Sequence, residues 1–127
     1  ARRLGEFHQT YDLLLSPTVS MEPFPIGALQ PSAGERRLVG LVNTLGMGGL
    51  LKSRINELAE KIFAYIPYTP FANMTGQPSM SVPLYWNEEN LPIGTMFTGP
   101  IGREDLLLRL AGQLERARPW FARVPAL

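Results

Sequence analysis

Twelve prolines are spread along 127 residues, and they decide where regular structure can form before any other feature is read. Proline has no backbone N–H and its ring clashes with the preceding turn, so it stops helices and is confined to the ends or edges of strands. Pro17, Pro23, Pro25 and Pro31, with Gly27 and Gly34, fall so close together that neither a helix nor a strand fits between Pro17 and Gly34. Each residue ahead of a proline is also pushed towards an extended conformation. A long irregular segment is therefore expected there. Pro67, Pro78 and Pro119 stop the elements that precede them.

Between these stops the apolar spacing assigns the elements. Arg2 to Thr10 reads as the end of a helix, and Tyr11 to Ser16 as a short Leu-rich strand that suits a central position covered on both faces. Glu35 to Val42 suits a short helix, and Gly46-Met-Gly-Gly49 breaks the pattern. Leu51, Ile55, Leu58, Ile62 and Tyr65 or Ile66 recur at nearly helical spacing, which predicts a helix over Leu50 to Ile66. Pro70 to Gly76 allows one or two helical turns closed by the glycine. Met80, Val82 and Leu84 alternate with Ser79, Ser81 and Tyr85, and Ile93 to Thr98 follows after the polar turn Trp86 to Pro92, so the two strands form a hairpin. Leu106, Leu107, Leu110, Ala111, Leu114 and Ala117 lie on one face of a last helix, with Glu104 and Asp105 in its first turn and Arg116 and Arg118 at its end. Leu107, Leu110 and Leu114 are expected to bury that face against the hairpin.

Composition removes several function classes. Lys and Arg number 12 against 11 Asp and Glu, a net charge of +1, which takes away the broad electrostatic case for nucleic acid or an anionic membrane as partner. The chain has no cysteine, so disulfides, thiolate metal sites and cysteine nucleophiles are excluded. One histidine, His8, and two scattered aspartates, Asp12 and Asp105, build no ordinary metal site; no metal and no cofactor is expected. No apolar run approaches the roughly 18–20 residues that span a bilayer. No signal peptide is visible, which favours the cytoplasm, and the opening Ala1-Arg2-Arg3 without a methionine suggests the interior of a longer protein. Residues 1–127 are of a length to form a single domain with a core.

Nucleophilic catalysis needs a hydroxyl or thiol beside an oriented base. Ser16, Ser20, Ser32, Ser53, Ser79 and Ser81 occur in neither a Gly-x-Ser-x-Gly elbow nor a Ser-x-x-Lys pair, and the lysines, Lys52 and Lys61, fall on a helix assigned to packing. His8 and Asp12 are four apart, but a strand begins near Tyr11, so His8 reads as a partly exposed helix residue. Gly46 to Gly49 has the glycine content of a phosphate cradle, yet it lacks the Walker pattern and Leu51 breaks Gly-x-Gly-x-x-Gly; a hinge is the simpler reading. Glu88 and Glu89 read as solvated turn charges. The residues assign no catalytic group within this chain.

Four blocks do carry a resemblance. Tyr11-Asp-Leu-Leu-Leu-Ser-Pro-Thr18, Pro70-Phe-Ala-Asn-Met-Thr-Gly-Gln-Pro-Ser-Met-Ser-Val-Pro83, Leu91-Pro-Ile-Gly-Thr-Met-Phe-Thr-Gly-Pro100, and Glu104-Asp-Leu-Leu107 with Leu114-Glu-Arg-Ala-Arg-Pro-Trp120 resemble, in this order, the C-terminal part of the amidase signature family. Ser79 to Trp86 and the helical tail are similar to its cyclic-dimer (nylon oligomer) hydrolase branch. The resemblance implies an α/β fold: a mixed sheet fragment of about three strands, including a C-terminal hairpin, packed with helices as a C-terminal portion of a larger amidase domain.

What the resemblance implies chemically is amide hydrolysis by a Ser, cis-Ser, Lys triad whose motifs lie upstream of the matched blocks. The sequence has no Gly-Gly-Ser-Ser run and no lysine before Lys52, so no catalytic role transfers to any residue, and the chain alone is expected to be inactive. Ser79 and Ser81 align with a strand of the family, not with its triad. The resemblance places part of Met21 to Gly49 and Tyr68 to Thr75 along the acyl pocket, with Phe71 and Asn73 as the substrate-binding candidates. The parent's partner would be a small amide substrate. A rival reading is a free-standing, non-catalytic domain that binds a protein through the Pro17 to Gly34 loop. Under the fragment reading, strand edges separated from their neighbours favour a homo-oligomer.

Overall fold

The computed structural model describes residues 2–28, 30–44, 59–60 and 62–123. They fall into two compact units. One comprises the chain up to Glu22 and again from Ile66; the other is Pro23–Tyr65.

The first unit is built on three strands, β1 (Leu14–Pro17), β2 (Ser79–Trp86) and β3 (Pro92–Thr98), arranged in the order β1-β3-β2. Both ladders are antiparallel: Leu14 pairs with Thr98 and Pro17 with Thr95 on one side, Ser79 with Thr98 and Trp86 with Pro92 on the other. The sheet expected as mixed is thus antiparallel throughout the described residues. The hairpin expected between β2 and β3 is found. Its turn is closed by Asn87, whose N–H donates to the Leu91 carbonyl and whose Oδ1 accepts the Leu91 N–H at 2.8 Å, and Asn90 takes a left-handed φ of 60°. Asparagine tolerates that conformation better than most side chains. The register shifts between Pro83 and Tyr85, a bulge where the missing proline N–H leaves no ladder bond to satisfy.

One expectation is corrected. The Leu-rich segment after Tyr11 forms β1, but β1 lies at the edge of the described sheet with Leu15 61% exposed. The central strand is β3. A run of leucines signals burial without saying which strand it neighbours, whereas β3 is paired on both sides and carries Met96 and Thr98, 3% and 1% exposed. Thr98 sits in the core because its hydroxyl is hydrogen-bonded to Ser79 Oγ at 2.7 Å, which offsets the cost of burying a polar group.

Paired residues of an antiparallel sheet share a face, so Ser16, Met96 and Ser81 line up across the three strands. Next along that face, Thr18 Oγ1 and Ser81 Oγ meet at 2.5 Å above Gly94, while the Thr18 N–H donates to the Gly94 carbonyl. A side chain at Gly94 would place its Cβ 2.5 Å from Ser81 Oγ and 2.6 Å from Thr18 Oγ1. Glycine is required here for close approach rather than for backbone freedom.

Of the helices, α1 (Arg2–Phe7) precedes β1. In the second unit, α2 (Ala33–Thr44) begins two residues ahead of the expected start, because Ser32 and Glu35 form a reciprocal cap: Ser32 N–H donates to Glu35 Oε2 at 2.7 Å and Glu35 N–H to Ser32 Oγ at 3.2 Å. Residues 59–60 and 62–65 are helical; the rest of the helix expected over Leu50 to Ile66, and Gly46 to Gly49, lie outside the described residues. Phe24 and Tyr65 pack edge to face at 4.7 Å. Back in the first unit come α3 (Thr69–Thr75) before β2 and α4 (Glu104–Ala117) after β3.

Helix α4 packs against β2, and its buried anchor is Leu107, 4% exposed, with Leu106, Leu110, Ala111 and Leu114 half-buried beside it and Ala117 exposed. Gly99 lies under it, where an added Cβ would stand 3.6 Å from Leu107 Cγ. Asp105, in the first turn, accepts hydrogen bonds from Arg103 Nε at 2.9 Å and Arg109 Nη2 at 2.8 Å. Arg103's hydrogen bond is the main reason the Asp105 carboxyl is held below its ordinary range. The support exists above the ordinary carboxylate value and fades as pH falls through the lowered one, and in so exposed a group it is small.

Of the three leucines expected to bury this face, Leu107 is the one that is fully buried, and Leu110 and Leu114 are half-buried. Leu107→Ala is expected to cost about 2–5 kcal/mol and half-buried Leu110→Ala distinctly less, measured as urea midpoints; equal midpoints for the two would place the helix elsewhere. Gly94→Ala is expected to lower stability by about 1–3 kcal/mol through overpacking. Most of that loss should return when Thr18→Ala and Ser81→Ala are added, since these remove the two hydroxyls the methyl meets; a triple variant as unstable as Gly94→Ala would contradict the assignment.

Candidate functional site

The two substrate-binding candidates lie on α3, a helix set by its ends. Pro70 occupies its first turn, where a missing N–H costs nothing. Gly76 ends it in the left-handed region at φ 72°, its N–H donating to the Ala72 carbonyl, the expected glycine closure. Ala72 is buried and anchors the helix. Thr75 Oγ1 donates back to the Phe71 carbonyl at 2.8 Å and lies 3.2 Å from Gln77 Oε1, with Gln77 itself buried.

Phe71 is half-buried and Asn73 exposed. Two residues along an α-helix correspond to about 200° of rotation, so α3 carries them to different sides. Asn73 makes no side-chain hydrogen bond among the described residues, in contrast to Thr75, which is used within the helix. Next to Asn73, Met74 is 83% exposed. This short helix has a backbone fixed by Ala72, Thr75 and Gly76, and it presents an amide and a thioether outward.

The hydroxyls are occupied structurally. Ser79 bonds to Thr98 and Ser81 to Thr18, while Ser32 caps α2. Ser16 Oγ is buried without a hydrogen-bond partner among the described residues, and its cross-strand neighbour is Met96, not a base. Lys52, Ser53 and Lys61 lie outside the described residues. His8 is half-exposed, as expected, but lies in the turn just after α1 rather than in the helix, with Nδ1 3.0 Å from the Tyr11 carbonyl and its ring edge-on to Phe7. Glu88 and Glu89 are exposed on the hairpin turn. Among the described residues no cluster of three or more His, Asp or Glu could hold a metal ion, and no helix is long and apolar enough to cross a membrane.

Sequence reasoning missed a second feature, a cavity between the hairpin turn and the segment after α4 that is lined by both tryptophans of the chain, Trp86 and Trp120. The available signal was that Trp86 follows the alternating strand and Trp120 follows Pro119, both at element ends.

Comparison with known proteins fixes the wider context. The family model described as Amidase matches residues 1–108. The chain is 35% identical over 119 residues to AmiC of Mycobacterium leprae (strain TN), covering 94% of this chain and 21% of that protein. It is 36% identical over 117 residues to a 6-aminohexanoate-cyclic-dimer hydrolase of Pseudomonas sp. (strain NK87), covering 92% and 21%. The solved structure of a 6-aminohexanoate cyclic dimer hydrolase complexed with substrate superposes with a TM-score of 0.68 at 31% identity, over 98% of this chain and 23% of that one. The chain thus spans about a fifth of the length of these relatives. With matched blocks, a three-stranded sheet with helices and a family match over most of its residues all in agreement, the chain belongs to the amidase family.

Proposed function

We propose that this chain is the C-terminal part of an amide (C–N) hydrolase, supplying sheet structure and part of a substrate pocket to an active site whose nucleophile and bases lie elsewhere in the parent protein. The observation that supports it is an alignment running along nearly the whole chain onto only about a fifth of relatives that include a 6-aminohexanoate-cyclic-dimer hydrolase. The substrate class follows from that name: a small amide. Phe71 contributes an apolar contact and Asn73 an amide hydrogen bond to the bound substrate. The chain forms one portion of a larger amidase domain.

Assays of the 127-residue chain and of its full-length parent with a small p-nitroanilide test the reading. The chain alone is expected to give no turnover above background, because no residue in it is an activated nucleophile, and the parent is expected to turn the substrate over. In the parent, Phe71→Ala should raise KM about fivefold to tenfold with a smaller effect on kcat, as expected for loss of a contact made equally in the ground and transition states. Turnover by the chain alone that a single Ser→Ala change abolishes, or an unchanged KM in both Phe71→Ala and Asn73→Ala, overturns it.

The isolated chain, we further propose, pairs with a second copy along the open side of β1, whose N–H and C=O groups face away from β3. Light scattering after size exclusion is expected to give twice the 14.1 kDa chain mass. A monomer peak unchanged over a tenfold concentration range rules this out.

A further inference from the structure

The cavity beside the hairpin turn has a volume of about 310 Å³, and its lining includes Trp86, Asn90, Trp120, Phe121 and Arg123. That is the lower end of the range for small-molecule sites, roughly 300–1,000 Å³. Its walls are held in place. Glu115 Oε1 accepts the backbone N–H groups of both Trp120 and Phe121, at 3.1 and 3.2 Å, so the aromatic pair is tied back to α4. Asn90 sits in the closed hairpin turn.

The cationic side chain of the cavity is unusual in its partners. The Arg123 guanidinium carbon lies 4.0 Å from the centre of a Trp86 ring, and Nη2 donates to Asn90 Oδ1. A guanidinium held over an aromatic face by cation–π attraction leaves its N–H donors for polar partners. It has five such donors, and Asn90 accepts one. Both partners are neutral, and no carboxylate pairs with Arg123 among the described residues; the ion pairs found there involve Arg2, Arg103 and Arg109. A planar donor edge thus adjoins aromatic walls in a concave site. Phe121, 89% exposed, forms the open side.

We propose that this cavity binds a small organic monocarboxylate with a flat apolar body, such as an arylalkanoate. The carboxylate accepts from the Arg123 edge, and the body lies against Trp120 and Phe121. Two parallel charge-assisted hydrogen bonds are what a guanidinium edge offers a carboxylate. The nearby exposed Glu88 and Glu89 disfavour a dianion. This site is independent of Phe71 and Asn73 and does not rest on the amide-hydrolase reading.

Because the chain's two tryptophans both line the cavity, indole fluorescence and the two indole N–H resonances report on it directly. Phenylacetate titrated into the 127-residue chain at constant ionic strength is expected to give a saturable change with a millimolar Kd. Neutral phenylacetamide should bind at least about fivefold more weakly, and Arg123→Gln should weaken phenylacetate by about tenfold or more, as loss of charge-assisted hydrogen bonds requires. Arg123→Lys, which keeps the charge without the planar fork, should fall between. Circular dichroism and urea midpoints show whether each variant is folded. Should Arg123→Gln unfold, Phe121→Ala decides, since that exposed ring carries little of the fold: weaker phenylacetate binding supports the site, and unchanged affinity overturns it. No saturable response, an equal response to phenylacetamide, or full binding in folded Arg123→Gln also overturns it.

Discussion

The double pairing of β3 is the constraint on which the sheet unit depends. A strand with neighbours on both sides satisfies its backbone groups in two ladders, and β3 does so between β1 and β2, with Met96 and Thr98 buried on one of its faces. Of the two flanking strands, β2 immediately precedes β3, whereas β1 lies far back in the sequence. Leu14 and Ser79 both pair with Thr98, so β3 closes a long excursion of the chain and holds β1 beside the hairpin. Loop closure over that distance costs entropy that local contacts do not return. The hairpin and α4 are joined by short connections, so their contacts close far shorter loops than the pairing of β1 does.

Gly94 shows how tightly that joining is specified. The Thr18–Ser81 hydroxyl contact crosses the central strand, which is possible only where that strand has no side chain. Thr18 is thereby fixed immediately before the proline-rich segment, and the backbone bond from Thr18 to Gly94 adds a second tie. A polar contact of this kind contributes only about a kilocalorie per mole. Its larger effect is on register, since a one-residue slip of β1 along β3 would turn Thr18 away from Ser81 and exchange the faces of Leu15 and Ser16.

Much of this was legible in the sequence. The alternation through Met80 and Val82, the polar turn and the Leu-rich last helix each have a period that matches one secondary structure, and the hairpin, α3 with its Gly76 closure and α4 formed where that period placed them. The rank order of burial was not legible. Leu110 and Leu107 share a helical face by spacing, yet only Leu107 lies above Gly99, a tertiary fact. Likewise a Leu-rich segment cannot declare itself an edge strand when its exposure depends on what lies beyond it. The Ser32–Glu35 cap was readable as Ser-x-x-Glu and would have placed the start of α2 correctly. The cavity was not, because Trp86 and Arg123 are brought together by the segment turning back after Pro119.

The candidate site fits this division between local and tertiary information. A substrate contact needs a backbone that does not move and side chains that are not already used. In α3 the first need is met locally, by Pro70 at the start, Gly76 at the end and Ala72 beneath. The second is met by what the helix leaves out. Thr75 is spent on the Phe71 carbonyl, whereas Asn73 has no partner among the described residues and projects from the opposite side to Phe71. Two residues so placed cannot both reach one small group. Under the proposed function, a substrate that meets both therefore has two separated features, an apolar portion against the ring and a polar amide against Asn73.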